Sequence, residues 1–417
     1  MTVRTWVGGI ALASLVILGL AMAAAGPEVV PAAGLGDDPG WLRGAYGDGL
    51  GIAGGDYIQL ERAALLAYAA VLICAPALPL RLLWAAICAL LLAFAIAPPL
   101  LSLDVFSYLS YARLDALGGL NPYEAAPEDL PGDAALPFVL DNRDAVSAYG
   151  PLFSLLALPL AHLGLGTAVY ALKALAGLSV LATAWLAARM AAARGLDPRP
   201  AAALIALNPL VLVHVVGGAH NDALTALVLS LGLAGALAAR EAAGGVALVA
   251  AAGVKASAAF ALPFAALEGL LGRRRLLLGL VVGAAGVVAV ALAGFGSAVD
   301  GALDVAGENQ ERGSRGSFPN TIAADLGLGR DAVSDAAVAL YAALVVGLLV
   351  WTARGADWVR AAAWAGLGLL IASSYVPPWY VILPLPLVAI ARDRALVACT
   401  LLVSAYFLRY QVPGLGG

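Results

Sequence analysis

The chain has 417 residues, of which 62% are hydrophobic and 12% are charged, with a formal net charge of −4 and a mean hydropathy of +0.93. A soluble globular domain has about 45–50% apolar and about 25% charged residues, so this composition excludes a soluble enzyme, a disordered chain and a secreted disulfide scaffold. Nucleic-acid binding is not expected, because the longest basic run is Arg273–Arg275.

Continuous apolar runs predict the membrane spans, since a helix needs about 20 such residues to cross the hydrocarbon core. The predicted spans are 6–25, 63–79, 82–101, 167–188, 200–216, 223–239, 276–295, 336–353, 360–376, 379–391 and 395–411. Two shorter runs, 242–254 and 256–271, flank Lys255 as a short hairpin and bring the number of spans to about 13. We therefore predict an all-α, polytopic transmembrane bundle that forms a single domain over residues 1–417.

Arginines in the short loops predict the orientation, because cytoplasmic loops are enriched in Lys and Arg. If the amino terminus is inside and the short run 151–164 does not cross, the following arginines are cytoplasmic: Arg4, Arg81, Arg189, Arg194, Arg199, Arg240, Arg273, Arg274, Arg275, Arg354, Arg360, Arg392 and Arg394. A multi-pass plasma-membrane protein then has three long outer segments, 26–62, 102–150 and 297–335, which hold most of the acidic residues. Residues 1–25 also fit a signal peptide, although their length favours a retained helix.

An aspartate directly follows the predicted span that ends at residue 101, in the sequence Leu101-Ser102-Leu103-Asp104-Val105-Phe106-Ser107-Tyr108. A carboxylate at the membrane boundary is partly desolvated, which raises its basicity. Asp104 can then accept a proton from a hydroxyl nucleophile. The alternative is that Asp104 caps an amphipathic surface helix.

Polar and aromatic residues follow in the same outer segment, and we interpret them as candidates for binding sugar or acceptor. They are Tyr108, Arg113, Asn121, Tyr123 and Tyr149. The tyrosines are suited to stacking on a sugar face, and equally to the aromatic belt at the lipid headgroups. Asn-Pro-Tyr at 121–123 indicates a turn.

A second polar group follows span 200–216: Asn208-Pro209 and then Gly217-Gly218-Ala219-His220-Asn221-Asp222. Such groups near the membrane boundary are destabilising unless they are paired or functional. His220 can donate a hydrogen bond to a phosphate or sugar oxygen, and Asn221 and Asp222 can bind hydroxyls. The alternative is that Asn221-Asp222 caps the next helix. His-x-Asp alone is a weak metal motif, so no cofactor is assigned, and a divalent metal is compatible with the sequence but not indicated by it.

Three further cations and two aromatic residues complete the candidates. Lys255 lies alone between two apolar runs, where an ammonium needs an anion such as a lipid phosphate, unless it snorkels to the interface. Arg312 and Arg315 can hold a phosphate through bidentate contacts or pair with neighbouring acids. Trp379 and Tyr380 follow a double proline and either line a lipid groove or belong to the aromatic belt.

These motifs resemble those of the membrane-embedded GT-C glycosyltransferases, and more narrowly the polyprenyl-phosphomannose-dependent α-1,6-mannosyltransferases of actinobacterial cell envelopes. The resembling stretches are Asp104–Tyr108, Asn121–Tyr123, Tyr149–Leu152, Asn208–Leu210, Gly217–Asp222, Lys255 with Pro263-Phe264, and Pro378–Tyr380. The resemblance implies inverting transfer of mannose from a polyprenyl-phosphate donor to a cell-envelope glycan or glycolipid acceptor on the outer face of the membrane. Asp104 matches the catalytic base of that superfamily.

On this hypothesis, four cations hold the donor phosphate: His220, Lys255, Arg312 and Arg315. Two other functions stay open: a glycan ligase would share the outward-facing polar site, and a transporter would share the lipid-linked substrate. A lipid-linked sugar transporter or flippase would need polar residues through the membrane depth. A glycan ligase would need a wider groove and more basic outer residues.

Overall fold

A computed structural model describes residues 2–35, 39–140, 142–314 and 316–408, and within these ranges the chain contains helices and no strand. The α-helices are α1 (Val3–Ala23), α2 (Gly54–Cys74), α3 (Leu80–Ile96), α4 (Asp104–Ala116), α5 (Pro151–Ala157), α6 (Leu165–Ala193), α7 (Pro198–Ala206), α8 (Asp222–Leu237), α9 (Glu241–Val254), α10 (Leu262–Leu270), α11 (Arg274–Phe295), α12 (Gly301–Arg312), α13 (Phe318–Leu326), α14 (Arg330–Ala353), α15 (Trp358–Ala372), α16 (Leu385–Ile390) and α17 (Arg394–Phe407). The prediction of an all-α fold is confirmed.

Among the described residues, five helices are long and apolar enough to cross a membrane: α1, α2, α6, α11 and α14. A sixth span is formed if α7 and the π-helix Val211–Gly217 are counted together, although they are bent by 57°. Several predicted spans correspond to shorter apolar helices of 10–17 residues. The predicted number of about 13 spans is therefore not confirmed by helix length.

Two helix ends differ from the sequence prediction. The predicted span 82–101 ends early, because α3 stops at Ile96 and Pro98-Pro99 follows. Proline lacks the N–H that would continue the helix, and it disfavours helical geometry at the residue before it. In addition, α2 begins at Gly54, so the last part of the predicted outer segment 26–62 is helical.

The short run at 151–164 forms a seven-residue helix, α5, and a five-residue 3-10 helix that ends at His162. At about 1.5 Å per α-helical residue and about 2.0 Å per 3-10 residue this unit is about 20 Å long, much less than the hydrocarbon thickness of about 30 Å. Its length is compatible with the expectation that this segment does not cross the membrane.

Close helix packing fixes the first turn of α9, the helix that Lys255 follows. A Cβ on Gly244 of α9 would lie 2.2 Å from the backbone nitrogen of Ala236 in α8. A Cβ on Gly279 of α11 would lie 2.1 Å from the carbonyl oxygen of Ala242 in α9. Small residues at such contacts let helix backbones approach closely, so α8, α9 and α11 pack as one layer.

The bend between α7 and the π-helix brings two distant parts of the chain together. It occurs at Asn208-Pro209, where the Leu210 N–H donates to Asn208 Oδ1 at 3.0 Å. The π-helix then ends at Gly217, whose carbonyl accepts a 3.0 Å hydrogen bond from the Leu100 N–H. The segment that precedes Asp104 therefore lies against the segment that precedes His220.

Candidate active site

A cavity of about 410 Å³ lies beside the start of α4, the residues after α9 and the aromatic segment that follows α15. It contains five of the predicted site residues in its lining: Asp104, Tyr149, Lys255, Trp379 and Tyr380. These residues come from four separate regions of the sequence. The cavity therefore unites an acid, a cation and several aromatic rings.

Asp104 is the first residue of α4, and its N–H donates to Ser102 Oγ at 3.2 Å. Its side chain is 27% exposed. The residues that follow, including Val105, Phe106 and Leu109, are fully buried. The helix is thus part of the core, which contradicts the alternative of an amphipathic surface helix and leaves the carboxylate at a boundary between core and cavity.

His220 lies directly behind Asp104. Its Nδ1 is 3.4 Å from Asp104 Oδ2 and 3.3 Å from the Tyr108 hydroxyl. The imidazole is buried and stacks on the Trp379 ring, with 3.6 Å between ring centroids. Because His220 does not line the cavity, its position fits orientation of the Asp104 carboxylate better than direct contact with a phosphate.

Lys255 also lines the cavity. Its ammonium donates to Asp222 Oδ2 at 2.6 Å and to Asn221 Oδ1 at 3.4 Å, and it lies 4.4 Å from the Tyr380 ring centroid. An ammonium has three N–H donors, so one donor is left for a ligand. Asn221 is the N-cap residue of α8, but its side chain makes no capping hydrogen bond.

Three buried polar atoms of this group have no hydrogen-bond partner among the described residues: His220 Nε2, Asn221 Nδ2 and Asp222 Oδ1. Leaving a buried donor or acceptor unpaired costs about 1–3 kcal/mol. Leu101 and Ala219 add backbone strain, because their φ angles of +55° and +59° fall in the left-handed region. Unpaired groups and strain of this kind concentrate at functional sites.

Tyrosines surround the Asp104 carboxylate. Burial raises the pKa of Tyr149 well above its usual range, and the Asp104 charge raises it further. The same two causes, in the same order, raise the pKa of Tyr108 and of Tyr111. All three phenols therefore stay protonated at neutral pH. The Tyr111 hydroxyl donates to the Ala145 carbonyl at 2.7 Å, whereas that of Tyr149 can donate a hydrogen bond to a sugar oxygen in the cavity.

The remaining predicted residues of segment 102–150 are placed away from the cavity lining. Arg113 pairs with Asp133, Asn121 Nδ2 donates to the Phe295 carbonyl at 2.9 Å, and the Tyr123 hydroxyl donates to the Tyr149 carbonyl at 2.8 Å. These contacts hold the segment together. Arg315 and the side chain of Arg312 lie outside the described residues.

The sequence prediction missed residues that line the cavity, such as Tyr111, and it missed Lys173, which lies away from the lining. Tyr111 lines the cavity, and its spacing of seven residues from Asp104 places both on one face of α4, which is a signal the sequence contains. Lys173 is a single lysine in the long apolar helix α6, and an intramembrane cation is itself a functional signal. Within the described ranges, no group of three His, Cys, Asp or Glu side chains is arranged to hold a metal ion.

Comparisons with known proteins agree with these motifs. A family model described as "Alpha-(1->6)-mannopyranosyltransferase, N-terminal domain" matches residues 6–269. Alpha-(1->6)-mannopyranosyltransferase A of Corynebacterium glutamicum is 34% identical over 173 residues, which cover 40% of this chain and 35% of the relative. The protein of the same name from Mycobacterium tuberculosis is 36% identical over 172 residues, covering 40% of this chain and 33% of the relative.

The matched stretches span about a third of the length of these curated relatives. No solved structure matches the chain. The family match covers more than half of the sequence and includes every resembling stretch except Pro378–Tyr380. The chain therefore belongs to the alpha-(1->6)-mannopyranosyltransferase family.

Proposed function

We propose that this chain is a membrane mannosyltransferase that uses a polyprenyl-phosphate mannose donor and a glycan or glycolipid acceptor at the outer face of the membrane. The observation that carries the proposal is that Asp104 and Lys255 line one cavity. Asp104 supplies a base, and Lys255 supplies a cation for the phosphate. The printed names of the relatives, alpha-(1->6)-mannopyranosyltransferases, support mannose as the sugar.

The proposed reaction is a single displacement with inversion. An acceptor hydroxyl oxygen attacks the anomeric carbon, the bond from that carbon to the phosphate oxygen breaks, and polyprenyl phosphate leaves with the electron pair. Asp104 takes the hydroxyl proton, and Lys255 stabilises the charge that develops on the leaving phosphate. One carboxylate suffices because phosphate leaves without an acid, whereas a glycosidase uses two carboxyl groups.

An apolar groove supports a lipid-linked donor. It has a volume of about 420 Å³ and lies among α13, α14 and α15, with a lining that includes Phe318, Ile322, Leu340 and Ile371. Tyr341 lines both this groove and the Asp104 cavity. A polyprenyl chain in the groove would place its phosphate toward the cavity, whereas a nucleotide-linked sugar would gain nothing from an apolar lining.

The test is sugar transfer by the purified, lipid-reconstituted chain from synthetic polyprenyl-phosphomannose to a short mannoside, beside a nucleotide-linked mannose. We expect transfer from the lipid-linked donor alone. Asp104→Asn should lower kcat by about 10²–10⁴-fold, the usual contribution of a general base. Asp115→Asn, on the same helix but outside the cavity lining, should retain activity.

Equal activity of Asp104→Asn and the parent would reject the base assignment. If the folded parent transferred sugar from no polyprenyl-phosphate donor, a lipid-linked sugar transporter or a glycan ligase would replace the proposal.

A further inference from the structure

Lys173 is a fully buried lysine in the middle of the structure that the proposed chemistry does not use. It belongs to α6, and its ammonium donates to three backbone carbonyls: Pro98 at 3.2 Å, Val216 at 3.3 Å and Gly217 at 2.5 Å. All three N–H donors of the ammonium thus have acceptors.

These carbonyls lie where regular backbone hydrogen bonding stops. Pro98 is in the irregular segment after α3, and Val216 and Gly217 end the π-helix. The last carbonyls of a helix have no partner within that helix. Irregular backbone in an apolar interior needs partners from the surrounding protein. Gly217 and Val216 also accept hydrogen bonds from the Leu100 and Ala219 N–H groups, and Lys173 adds a partner in both segments at once.

The two segments lead directly to the reacting part of the cavity. The first reaches Asp104 six residues after Pro98, and the second reaches His220 three residues after Gly217. Each passes through one strained residue, Leu101 or Ala219. Strained backbone persists only where surrounding contacts hold it, and the Lys173 ammonium makes such contacts on both sides.

We propose that Lys173 is a positioning residue that holds Asp104 in register with His220, and thereby aims the carboxylate at the acceptor hydroxyl. This inference rests on the proposed function. Lys173 lies away from the cavity lining and acts through the two backbone segments. Its loss should therefore impair the chemical step more than donor binding, which depends on Lys255.

The first measurement compares Lys173→Met with the parent in the transfer assay. We expect kcat to fall by roughly 10²-fold, the effect of a misplacement of about 1 Å, with the donor KM within roughly threefold of the parent. Thr183→Val is the matched control, because Thr183 is also fully buried in α6 and its hydroxyl has no partner among the described residues. Equal losses in both variants, or a parental kcat in Lys173→Met, would overturn the proposal.

The second measurement is hydrogen–deuterium exchange of peptides that cover 97–103 and 217–221. Lys173→Met should speed exchange there, including at the Leu100 amide that donates to Gly217, and Thr183→Val should not. Unchanged exchange would overturn the proposal even if activity fell.

If Lys173→Met does not fold, Lys173→Arg replaces it. This variant keeps the charge and the N–H donors, so we expect a smaller loss of kcat. A parental kcat in Lys173→Arg together with parental exchange in both segments would overturn the proposal. A parent without transfer activity would reject the proposed function separately, and the exchange result would then show whether Lys173 joins the two segments.

Discussion

At the scale of single residues, the pair formed by Lys255 and Asp222 has two roles that can be separated. The side chain of Asp222 is fully buried, and that of Lys255 is 11% exposed. Removing one partner of a buried pair leaves an uncompensated charge and costs about 3–5 kcal/mol. Lys255 also lines the cavity, so its removal affects both stability and ligand binding.

We expect Lys255→Met to lower the thermal unfolding midpoint and to weaken donor binding. The double variant Lys255→Met with Asp222→Asn should recover most of the stability, because the buried charge is removed as well. It should not recover donor affinity. Thermal unfolding and a donor-binding titration measure the two effects, and a double variant with parental donor affinity would argue against a phosphate contact by Lys255.

At the scale of elements, the contact between α5 and α9 sets the position of Lys255. The Gly150 N–H donates to the Val254 carbonyl at 3.2 Å, directly before Lys255. A Cβ at Gly150 would lie 2.2 Å from the Gly253 carbonyl oxygen. Because that atom belongs to backbone, the contact can be relieved only by a shift of one element against the other.

Gly150→Ala should therefore destabilise the protein by about 1–3 kcal/mol, the usual effect of overpacking, and should lower transfer activity by displacing Lys255. The control is Gly164→Ala, at the start of α6, where an added Cβ meets nothing within 4 Å and the change in stability should stay within roughly 0.5 kcal/mol. Thermal unfolding of both variants measures the change in stability. Equal stabilities would mean that α5 and α9 can move apart without loss of stability.

At the scale of the whole molecule, the proposed function needs the cavity to face the outside. The cavity residues Asp104 and Tyr149 lie near the two ends of the long segment 102–150, whereas the basic run Arg273–Arg275 lies at the start of α11. Basic residues in short loops favour the cytoplasm. The two regions should therefore lie on opposite sides of the membrane.

Cysteine labelling in intact cells tests this orientation. In a background where Cys74, Cys88 and Cys399 are replaced by alanine, Glu128→Cys should react with a membrane-impermeant maleimide. Arg274→Cys should react only after permeabilisation, because both parent residues are exposed and the positive-inside rule predicts that they lie on opposite sides of the membrane. The reverse pattern would place the cavity in the cytoplasm and contradict the proposed donor.

The all-helical architecture can be predicted from the amino-acid order alone, because the length of an apolar run and the position of a proline act locally along the chain. The sequence also indicated Asp104 and Lys255, since a charge beside apolar runs stands out in composition. The end of α3 at Ile96 can also be predicted from the sequence, because Pro98-Pro99 follows it directly after Ala97. The family resemblance came from short local motifs in the same way.

Only the tertiary structure decided which polar groups meet. Lys173 contacts carbonyls 75 and 43 residues away in the sequence. His214, which has no acidic neighbour in the sequence, lies 3.7 Å from Glu61 of α2. The physical reason is that hydropathy requires a helix face to be buried without specifying its neighbour, whereas pairing of buried polar groups depends on how distant helices pack.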